Sequence, residues 1–354
     1  MQRKLRGEVG FLVALALLAV VSASSAGART VASPPPFTPV ATSQECGTKS
    51  INIAVLQPVT NTYSQAIYNG MKAWLAPCKN VHLTAFDTGF DAQKEYNTFE
   101  NIATQHKFQG IGFLPIDPVG VIPAMNDAIK AGIQVVNFNN PLGHDYATPK
   151  VHIKGQAGTV IEPQYKRGQW MADLVAQACG SRNPCKIGFI VGQVGISAEL
   201  AIGAGFRAEL KKYPHLQLTA YQGNGQYLPD PSRTVAANML TAHHDLNVIT
   251  GSGDQMIRGA EIAVDDSGLQ KQVKLVGLGG SAIAVQKVKA GLWFGTVITQ
   301  PLDQGALTSW ILLNHIYNPA LPAQGVNPFT YTHRTPLLTK SVLVKTHFVA
   351  QWSG

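Results

Sequence analysis

Short apolar runs alternate with helical segments along most of the chain from residue 51 onward. Each run is rich in valine, isoleucine or phenylalanine, and the first four are INIAVL at 51–56, VHLTAF at 81–86, GIGFL at 110–114 and IQVVNF at 133–138. Between them apolar side chains recur at helical spacing, as at 64–75 and 92–106. Continuous apolar strands that alternate with helices are typical of parallel sheets covered on both faces.

The same alternation restarts after residue 150. A helical segment at 164–178 precedes KIGFIV at 186–191, and the pattern continues through LNVIT and VKLVGL as far as residue 278. About ten strands in one open sheet would be unusual. We therefore predict an α/β fold made of two doubly wound parallel-sheet lobes.

The stretch VITGSGDQMIRGAEIA at 248–263 indicates where a ligand would bind in such a fold. An apolar strand stops at the glycine-rich turn 251–254, and a helix with regularly spaced apolar residues follows. Asp254 stands at the predicted N-cap of that helix. Because ligands of open α/β sheets lie beyond the carboxyl ends of the strands, the residues after each apolar run are candidates for a binding site.

The N-terminus has the pattern of an export signal. A basic start precedes the apolar run FLVALALLAVV, and Ala26 and Ala28 provide a small-residue cleavage pattern. We predict a cleaved signal peptide at 1–28 and a flexible, Pro-rich linker at 29–46. The apolar run is shorter than the roughly 20 residues that cross a bilayer, so an uncleaved anchor is the less favoured alternative. We expect a periplasmic or extracellular location.

Four cysteines remain in a chain that we expect to reach an oxidising compartment: Cys46, Cys78, Cys179 and Cys185. Four cysteines allow three pairings. We favour Cys179–Cys185, which closes the turn CGSRNPC, and Cys46–Cys78, which ties the mature N-terminus to the end of the first helix. A zinc site is the alternative, but the spacing does not supply closely paired ligands.

Composition and motifs argue against nucleic-acid binding and against catalysis. Only 14% of residues are charged and the net charge is +8, without the Lys/Arg clusters of a nucleic-acid binder. GSGDQM and GLGGSA lack the third glycine of a dinucleotide site, and Gly-x-Ser-x-Gly and phosphate-loop motifs are absent. His243 and His244 lie at a predicted helix end, where histidines interact well with the helix dipole. We expect no catalytic residue, no metal and no cofactor.

Five stretches carry a further signal: INIAVLQPVTNTYSQAIYNGMKAW, LPIDP at 114–118, AIKAGIQVVNFNN, ANMLTAHHDLNVITGSGDQMIRGAEIAVDDSG and KLVGLGGSAIAVQKVKAGLWFGTVITQPLDQGA. In this order they resemble one family, the ribose-type (type I) periplasmic sugar-binding proteins of ABC transporters. The resemblance runs from about residue 50 to 345. It implies two lobes joined by a three-strand hinge, which close around a small-molecule ligand. It also implies a monomer that delivers a sugar, polyol or related ligand to a membrane permease.

The resemblance sets the lobe boundaries. The N-terminal lobe is expected to contain 47–139 plus 301–330, and the C-terminal lobe 140–300 plus 331–354. The crossovers between the lobes would then fall near Asn139, near Gln300 and at 330–335.

The resemblance and the strand ends together give nine candidate ligand-binding residues. Most are amides, hydroxyls or aromatic rings, the groups that bind sugar hydroxyls and cover sugar C–H faces. They are Asn61, Tyr63, Ser64, Asp117, Asn139, Asn140, Tyr227, Asp254 and Gln300.

Four departures from the family pattern bear on the ligand. Asn139 and Gly279 stand where the family has aspartates, Leu200 where it has an arginine, and Gly253 where it has an asparagine. These changes remove charged partners of a pentose, and the two glycines are expected to open volume. We therefore expect a bulkier or less hydroxylated ligand, such as a substituted sugar, a polyol or an aromatic molecule held between Tyr63, Phe138 and Tyr227.

The sequence leaves three classes of function open. Capture of a solute for an ABC importer is favoured, and the same two-lobed receptor could instead present a ligand to a chemoreceptor or sensor kinase. An exported α/β enzyme is the third and least favoured class.

Overall fold

The computed structural model describes residues 40–58, 61–146, 148–332 and 334–354. The predicted signal peptide and most of the predicted linker lie outside these residues. The described strands are β1 (Ile51–Gln57), β2 (Val81–Asp87), β3 (Gly110–Phe113), β4 (Gln134–Phe138), β5 (Gly158–Val160), β6 (Cys185–Ile190), β7 (Leu216–Gln222), β8 (Val248–Gly251), β9 (Lys274–Gly279), β10 (Gly295–Ile298), β11 (Gln324–Val326) and β12 (Leu337–Thr339).

The helices follow the strands in alternation, as the sequence pattern predicts. They are α1 (Ser43–Cys46), α2 (Thr62–Trp74), α3 (Ala92–Gln105), α4 (Ile122–Lys130), α5 (Gln164–Cys179), α6 (Ser197–Leu210), α7 (Pro229–Ala242), α8 (Asp254–Asp266), α9 (Ala282–Ala290), α10 (Pro301–Tyr317), α11 (Pro328–Thr332) and α12 (Lys340–Lys345).

The strands form two six-stranded sheets, one in each lobe. The first has the order β11-β5-β4-β3-β1-β2 and is parallel throughout. The second has the order β12-β10-β9-β8-β6-β7 and is parallel except for β12, which runs antiparallel to β10. Central strands such as β3 and β8 are buried along their whole length, which explains their continuous apolar sequences. The predicted fold class is confirmed.

Helix α10 follows β10 and packs closely against α2 of the first lobe. Glycines on both helices make the approach possible. A Cβ on Gly70 would lie 2.1 Å from the carbonyl oxygen of Leu302, and one on Gly305 would lie 1.9 Å from that of Ile67. Because no side chain fits at these distances, the two glycines set the position of α10 against the cleft.

The sheet pairing corrects the first predicted crossover. β5 pairs with β4 in the first sheet, so residues 158–160 belong to the first lobe and the boundary predicted at 139/140 is wrong for them. The chain changes lobes between β5 and α5, at 161–163. It changes again between β10 and α10, and a third time between β11 and β12.

Hydrogen bonds connect one residue from each of the three crossovers in a continuous series. The backbone N–H of Gln300 donates to the Glu162 carboxylate at 2.6 Å, and Thr332 donates its hydroxyl to the Gln300 side-chain oxygen. Glu162 and Gln300 are fully buried. The three connections are therefore linked side by side beneath the cleft.

Both favoured disulfides are present in the structure. Cys46 pairs with Cys78 and Cys179 with Cys185. The predicted flexible linker ends earlier than expected, because residues 43–46 form the helical turn α1, which begins with a capping box between Thr42 and Glu45. A capping box satisfies two backbone N–H groups at the start of a helix.

Candidate functional site

A cavity lies between the two lobes at the carboxyl ends of the strands. It spans about 590 Å³, counting space open to solvent at its mouth. Its polar and aromatic lining comes from both lobes. The first lobe contributes Asn61, Tyr63, Ser64, Phe90, Asn139 and Asn140, and the rest of the chain contributes Gln164, Arg167, Tyr227, Ser252, Gln255, Thr299 and Trp352.

The first wall of the cavity is built on the N-terminus of α2. The Asn61 side chain caps that helix by accepting the backbone N–H groups of Tyr63 and Ser64. The Tyr63 hydroxyl accepts a 2.6 Å hydrogen bond from Gln304 and lies 3.4 Å from the Asn139 side-chain oxygen. Burial raises the pKa of Tyr63 far above its ordinary value, so this hydroxyl stays protonated.

Asn139 holds a left-handed backbone conformation, with φ 62°. Asparagine tolerates this region better than most residues. Its carbonyl and side-chain oxygens both accept hydrogen bonds from Gln164, at 2.8 and 3.3 Å. The strained loop after β4 is therefore fixed against the start of α5 in the other lobe.

A buried ion pair lies at the base of the cavity. Arg167 contacts the Glu162 carboxylate at 3.0 Å and donates to the Gln164 side-chain oxygen at 2.6 Å. Burial raises the pKa of Glu162, and the adjacent Arg167 guanidinium opposes that shift. Because Glu162 lies in the first crossover and accepts from Gln300 in the second, the ion pair connects the cavity to the hinge.

A second buried carboxylate organises the opposite wall. Glu199 accepts hydrogen bonds from the Tyr227 hydroxyl, the Ser252 hydroxyl and the Gly192 backbone N–H, at 2.6, 2.6 and 2.8 Å. Burial raises the pKa values of both Glu199 and Tyr227. Glu199 itself does not line the cavity, so it acts as the support of Tyr227 and Ser252, which do.

Aromatic rings meet across the cleft at two points. Phe90 of the first lobe and Tyr227 of the second are nearly parallel, with ring centroids 6.0 Å apart. Tyr63 and Trp352 meet edge to face at 5.5 Å. The Ser197 hydroxyl adds a hydrogen bond to the Pro141 carbonyl in the other lobe. These contacts enclose the cavity between the lobes.

The two glycines expected to open volume differ in what surrounds them. A Cβ on Gly279 would lie 2.4 Å from the Asp254 carboxylate and 2.5 Å from the Trp352 ring, and one on Gly253 would lie 2.9 Å from the Gln255 side-chain oxygen. Buried side chains fill the space at Gly279, so the expectation of a larger site is wrong there. Gly253 lines the cavity, and its closest neighbour is the end of the flexible Gln255 side chain, so at that position the expectation stays a prediction.

Three predicted site residues lie outside the cavity lining. Asp117 is exposed, and its carboxylate accepts the N–H groups of its own turn at 119 and 120. Gln300 is buried in the hinge. Asp254 is buried behind the wall, where it accepts from the Ser281 N–H and the Thr296 hydroxyl.

Asp254 also differs from its predicted role as a helix cap. Gly253 is the N-cap of α8, and no side chain caps that end. Burial raises the pKa of Asp254 to about 6, while its hydrogen bonds with Ser281 and Thr296 oppose the shift. Asp254 instead joins the start of α8 to the turn after β9 and to β10.

Two further expectations are corrected by the positions of the side chains. Phe138 is fully buried in the core of the first lobe, so it does not form part of an aromatic sandwich with a ligand. Leu200 is 45% exposed and lies outside the cavity lining.

The sequence reasoning missed several residues that shape the site. They are Phe90, Glu162, Gln164, Arg167, Glu199, Gln255 and Trp352. One signal was available for Glu199, which is the only charged residue in the run ISAELAIGAGF at 196–206. A charged residue within an apolar helix start is seldom buried without a partner.

Within the described residues, no group of three or more His, Cys, Asp or Glu side chains could hold a metal ion. None of the helices in this part of the chain has the length and apolar character needed to cross a membrane.

Two α/β lobes that enclose a cavity of amide, hydroxyl and aromatic side chains define a two-lobed small-molecule receptor. The model of the family described as a periplasmic binding protein domain matches residues 53–319, and the chain belongs to this family. That family consists of substrate-binding proteins rather than enzymes. A solute-binding role follows, and the predicted family is confirmed.

Known relatives and structures agree with this assignment. The D-allose-binding periplasmic protein of Escherichia coli is 26% identical over 231 residues, which cover 64% of this chain and 71% of the relative. An ABC transporter solute-binding protein from Actinobacillus succinogenes, solved with bound D-allose, has a TM-score of 0.71 at 23% identity and covers 84% of this chain and 100% of its own. One from Agrobacterium vitis with bound D-fucose has a TM-score of 0.74 at 21% identity, with coverages of 84% and 98%. At these identities the two structures show the shared fold alone.

Proposed function

We propose that this chain is the exported solute-binding protein of an ABC importer and captures a sugar or sugar-like molecule by closure of its two lobes. The observation that carries the proposal is the interlobe cavity, whose mouth is bordered by Phe90 from one lobe and Tyr227 from the other. The curated relative named for D-allose supports a saccharide as the ligand class.

The charges of the cavity favour an uncharged ligand. Among its described lining residues none is an aspartate or a glutamate, and the single charged residue, Arg167, is neutralised by Glu162. The Gln255 amide lines the cavity and makes no hydrogen bond to the described residues, so it is free to donate to and accept from a hydroxyl. Rings at Tyr63, Phe90 and Tyr227 can cover the C–H faces of a sugar.

Closure of the two lobes also explains how the ligand would be delivered to the importer. The bound, closed form would present surfaces of both lobes to a membrane permease, and the ligand would leave chemically unchanged. We propose that the working protein is a periplasmic or extracellular monomer whose signal peptide has been removed.

A thermal-shift screen of the mature chain against monosaccharides, polyols and nucleosides tests this proposal. A ligand that binds only the folded state raises the melting temperature by mass action, and calorimetry then gives its affinity, which we expect to be near micromolar. The variant Gln255→Ala should lose affinity, while Gln217→Ala, at an exposed position of β7, should not. If no solute class raises the melting temperature, the proposed function is wrong.

A further inference from the structure

The C-terminal residues 351–354 connect both lobes next to the cavity. On the first-lobe side, the Gln351 side chain accepts the backbone N–H groups of Leu302 and Asp303 at 2.9 and 3.3 Å and donates to the Asp303 carboxylate at 2.6 Å. The Thr62 hydroxyl donates to the Gly354 carbonyl at 3.3 Å. The end of the chain is thus fixed at the start of α10 and of α2.

The same segment is equally fixed to the second lobe. The backbone N–H groups of Ala282 and Ile283, in α9, donate to the carbonyls of Trp352 and Ser353 at 2.9 and 3.1 Å. The Trp352 indole N–H donates to the Gly279 carbonyl at 2.9 Å. Trp352 is 7% exposed and lines the cavity, where its ring also meets Tyr63.

The indole ring presents only carbon atoms to a ligand, because its single polar group is used within the protein. The polar groups beside it, the hydroxyls of Tyr63 and Thr299, already hydrogen-bond within the protein. The Gly279 carbonyl also accepts from the Thr299 backbone N–H and hydroxyl, each at 3.0 Å. The Asp254 carboxylate is buried beside Gly279 and is already hydrogen-bonded. Leu278 adds an apolar side chain to the cavity lining.

A ligand hydroxyl directed at the Trp352 ring would lose its water and meet only carbon atoms or groups that already hydrogen-bond within the protein. A buried polar group left without a hydrogen bond lowers affinity by about tenfold or more. A methyl or methylene group in the same position loses nothing and gains contact with the ring. The Trp352 surface therefore discriminates between a hydroxylated and a deoxygenated edge of the same sugar ring.

We infer that Trp352 is a specificity-determining residue that makes the cavity select sugars with a deoxygenated, C–H-rich edge over their fully hydroxylated counterparts. The inference rests on the proposed capture of a sugar. It assigns to the C-terminal segment a direct part in ligand recognition.

Calorimetry with matched sugar pairs tests the inference. The probes are D-fucose against D-galactose, L-fucose against L-galactose, and L-rhamnose against L-mannose, which differ only in one hydroxyl. The wild-type chain should bind at least one deoxy sugar about tenfold or more tightly than its partner. Trp352→Ala should bring that ratio close to one, and Trp352→Phe should keep most of it.

The variant Gln351→Ala is the control, because it removes a contact of the same segment while leaving the indole in place. It should change both members of a pair alike. Equal or tighter binding of the hydroxylated partners by the wild type would overturn the inference, and this comparison requires no variant to fold. An unchanged ratio in a folded Trp352→Ala would also overturn it. Failure of the wild type to bind any sugar would instead overturn the proposed function, and the inference with it.

Discussion

The hydroxyl of Tyr227 donates a 2.6 Å hydrogen bond to the carboxylate of Glu199, and this contact fixes one aromatic border of the cavity. Glu199 lies in the first turn of α6, and Tyr227 lies just before α7 with a left-handed backbone, at φ 52°. A non-glycine residue in that region is strained and persists where its surroundings hold it. The buried carboxylate is the group that holds Tyr227 here.

Replacement of this carboxylate should weaken ligand binding more than folding. Glu199→Gln keeps the size of the side chain but replaces one acceptor oxygen with a donor, so the hydroxyls of Tyr227 and Ser252 can no longer both donate to it. Hydrogen bonds to charged groups contribute about 1.5–3 kcal/mol, so the dissociation constant should rise roughly 10- to 100-fold. Calorimetry of a sugar identified by the thermal-shift screen measures this change.

The control for Glu199→Gln is Glu261→Gln. Glu261 pairs with Lys287 outside the cavity, so its replacement should leave the affinity unchanged. Equal affinities of Glu199→Gln and the wild type would show that Tyr227 does not need this support.

The Phe90–Tyr227 contact should control how long a ligand stays bound. Phe90→Ala removes the first-lobe ring at the border of the cavity, and most changes in affinity at a given interface appear in the dissociation rate. We expect dissociation to accelerate at least about tenfold, with a smaller change in association, as measured by stopped-flow fluorescence. Phe108→Ala is the control, since Phe108 contacts Phe86 within the first lobe. A dissociation rate unchanged in Phe90→Ala would contradict a bordering role for this ring.

Glu95 should make the stability of the chain depend on pH. This carboxyl is buried in α3, where burial raises its pKa from 4.5 to about 8 even though it accepts the Ile116 N–H. Because the folded pKa lies above the unfolded one, the folded state holds the proton more tightly. The contribution to stability is therefore complete below about pH 4.5 and is lost as the pH rises toward 8.

Urea unfolding at several pH values measures the effect of Glu95. The wild type should lose roughly 3–5 kcal/mol more than Glu95→Gln between pH 4.5 and 8.5, since each pKa unit corresponds to about 1.4 kcal/mol. Glu100→Gln, on the exposed face of the same helix, should follow the wild type. Parallel pH profiles for the wild type and Glu95→Gln would disprove a raised pKa at this position.

The two disulfides should differ in their contribution to stability. Cys46–Cys78 spans 32 positions and Cys179–Cys185 spans 6, so the former restricts the unfolded chain more strongly. In the chain-entropy treatment the losses are about 3–4 and about 2 kcal/mol, respectively. Urea unfolding of the two paired Cys-to-Ser variants compares them. A larger loss from the 179/185 pair would show that chain entropy is not the dominant contribution.

Much of the fold could be predicted from the sequence, because parallel strands that are buried on both faces consist of nearly continuous apolar residues. The helix predicted at 92–106 is observed at Ala92–Gln105, and the restart near residue 150 identified the second lobe. β5 could not be recognised, since Gly158–Val160 is too short to show a pattern. Its absence from the prediction placed the first crossover about twenty residues too early.

The candidate site was predicted where the side chain lies at a strand end, as for Asn61 and Tyr63. Asp254 also follows a strand, but its carboxylate turns inward to satisfy the Ser281 N–H. Trp352 lies far from any strand end in sequence and reaches the cavity only through the tertiary contacts of the C-terminal segment. Position along the chain therefore gives candidates, while hydrogen bonding decides which of them face a ligand.

The distance between the two lobes, measured with and without a bound sugar, tests the central claim most directly. Spin labels on Val119→Cys and Val194→Cys, which are exposed in the first and second lobes, suit pulsed electron resonance, and all four native cysteines are paired. We predict that a saturating sugar shortens the distance between the labels by hinge closure and is recovered chemically unchanged. An identical distance distribution with and without a sugar that calorimetry shows to be bound, or conversion of that sugar, would contradict capture between closing lobes.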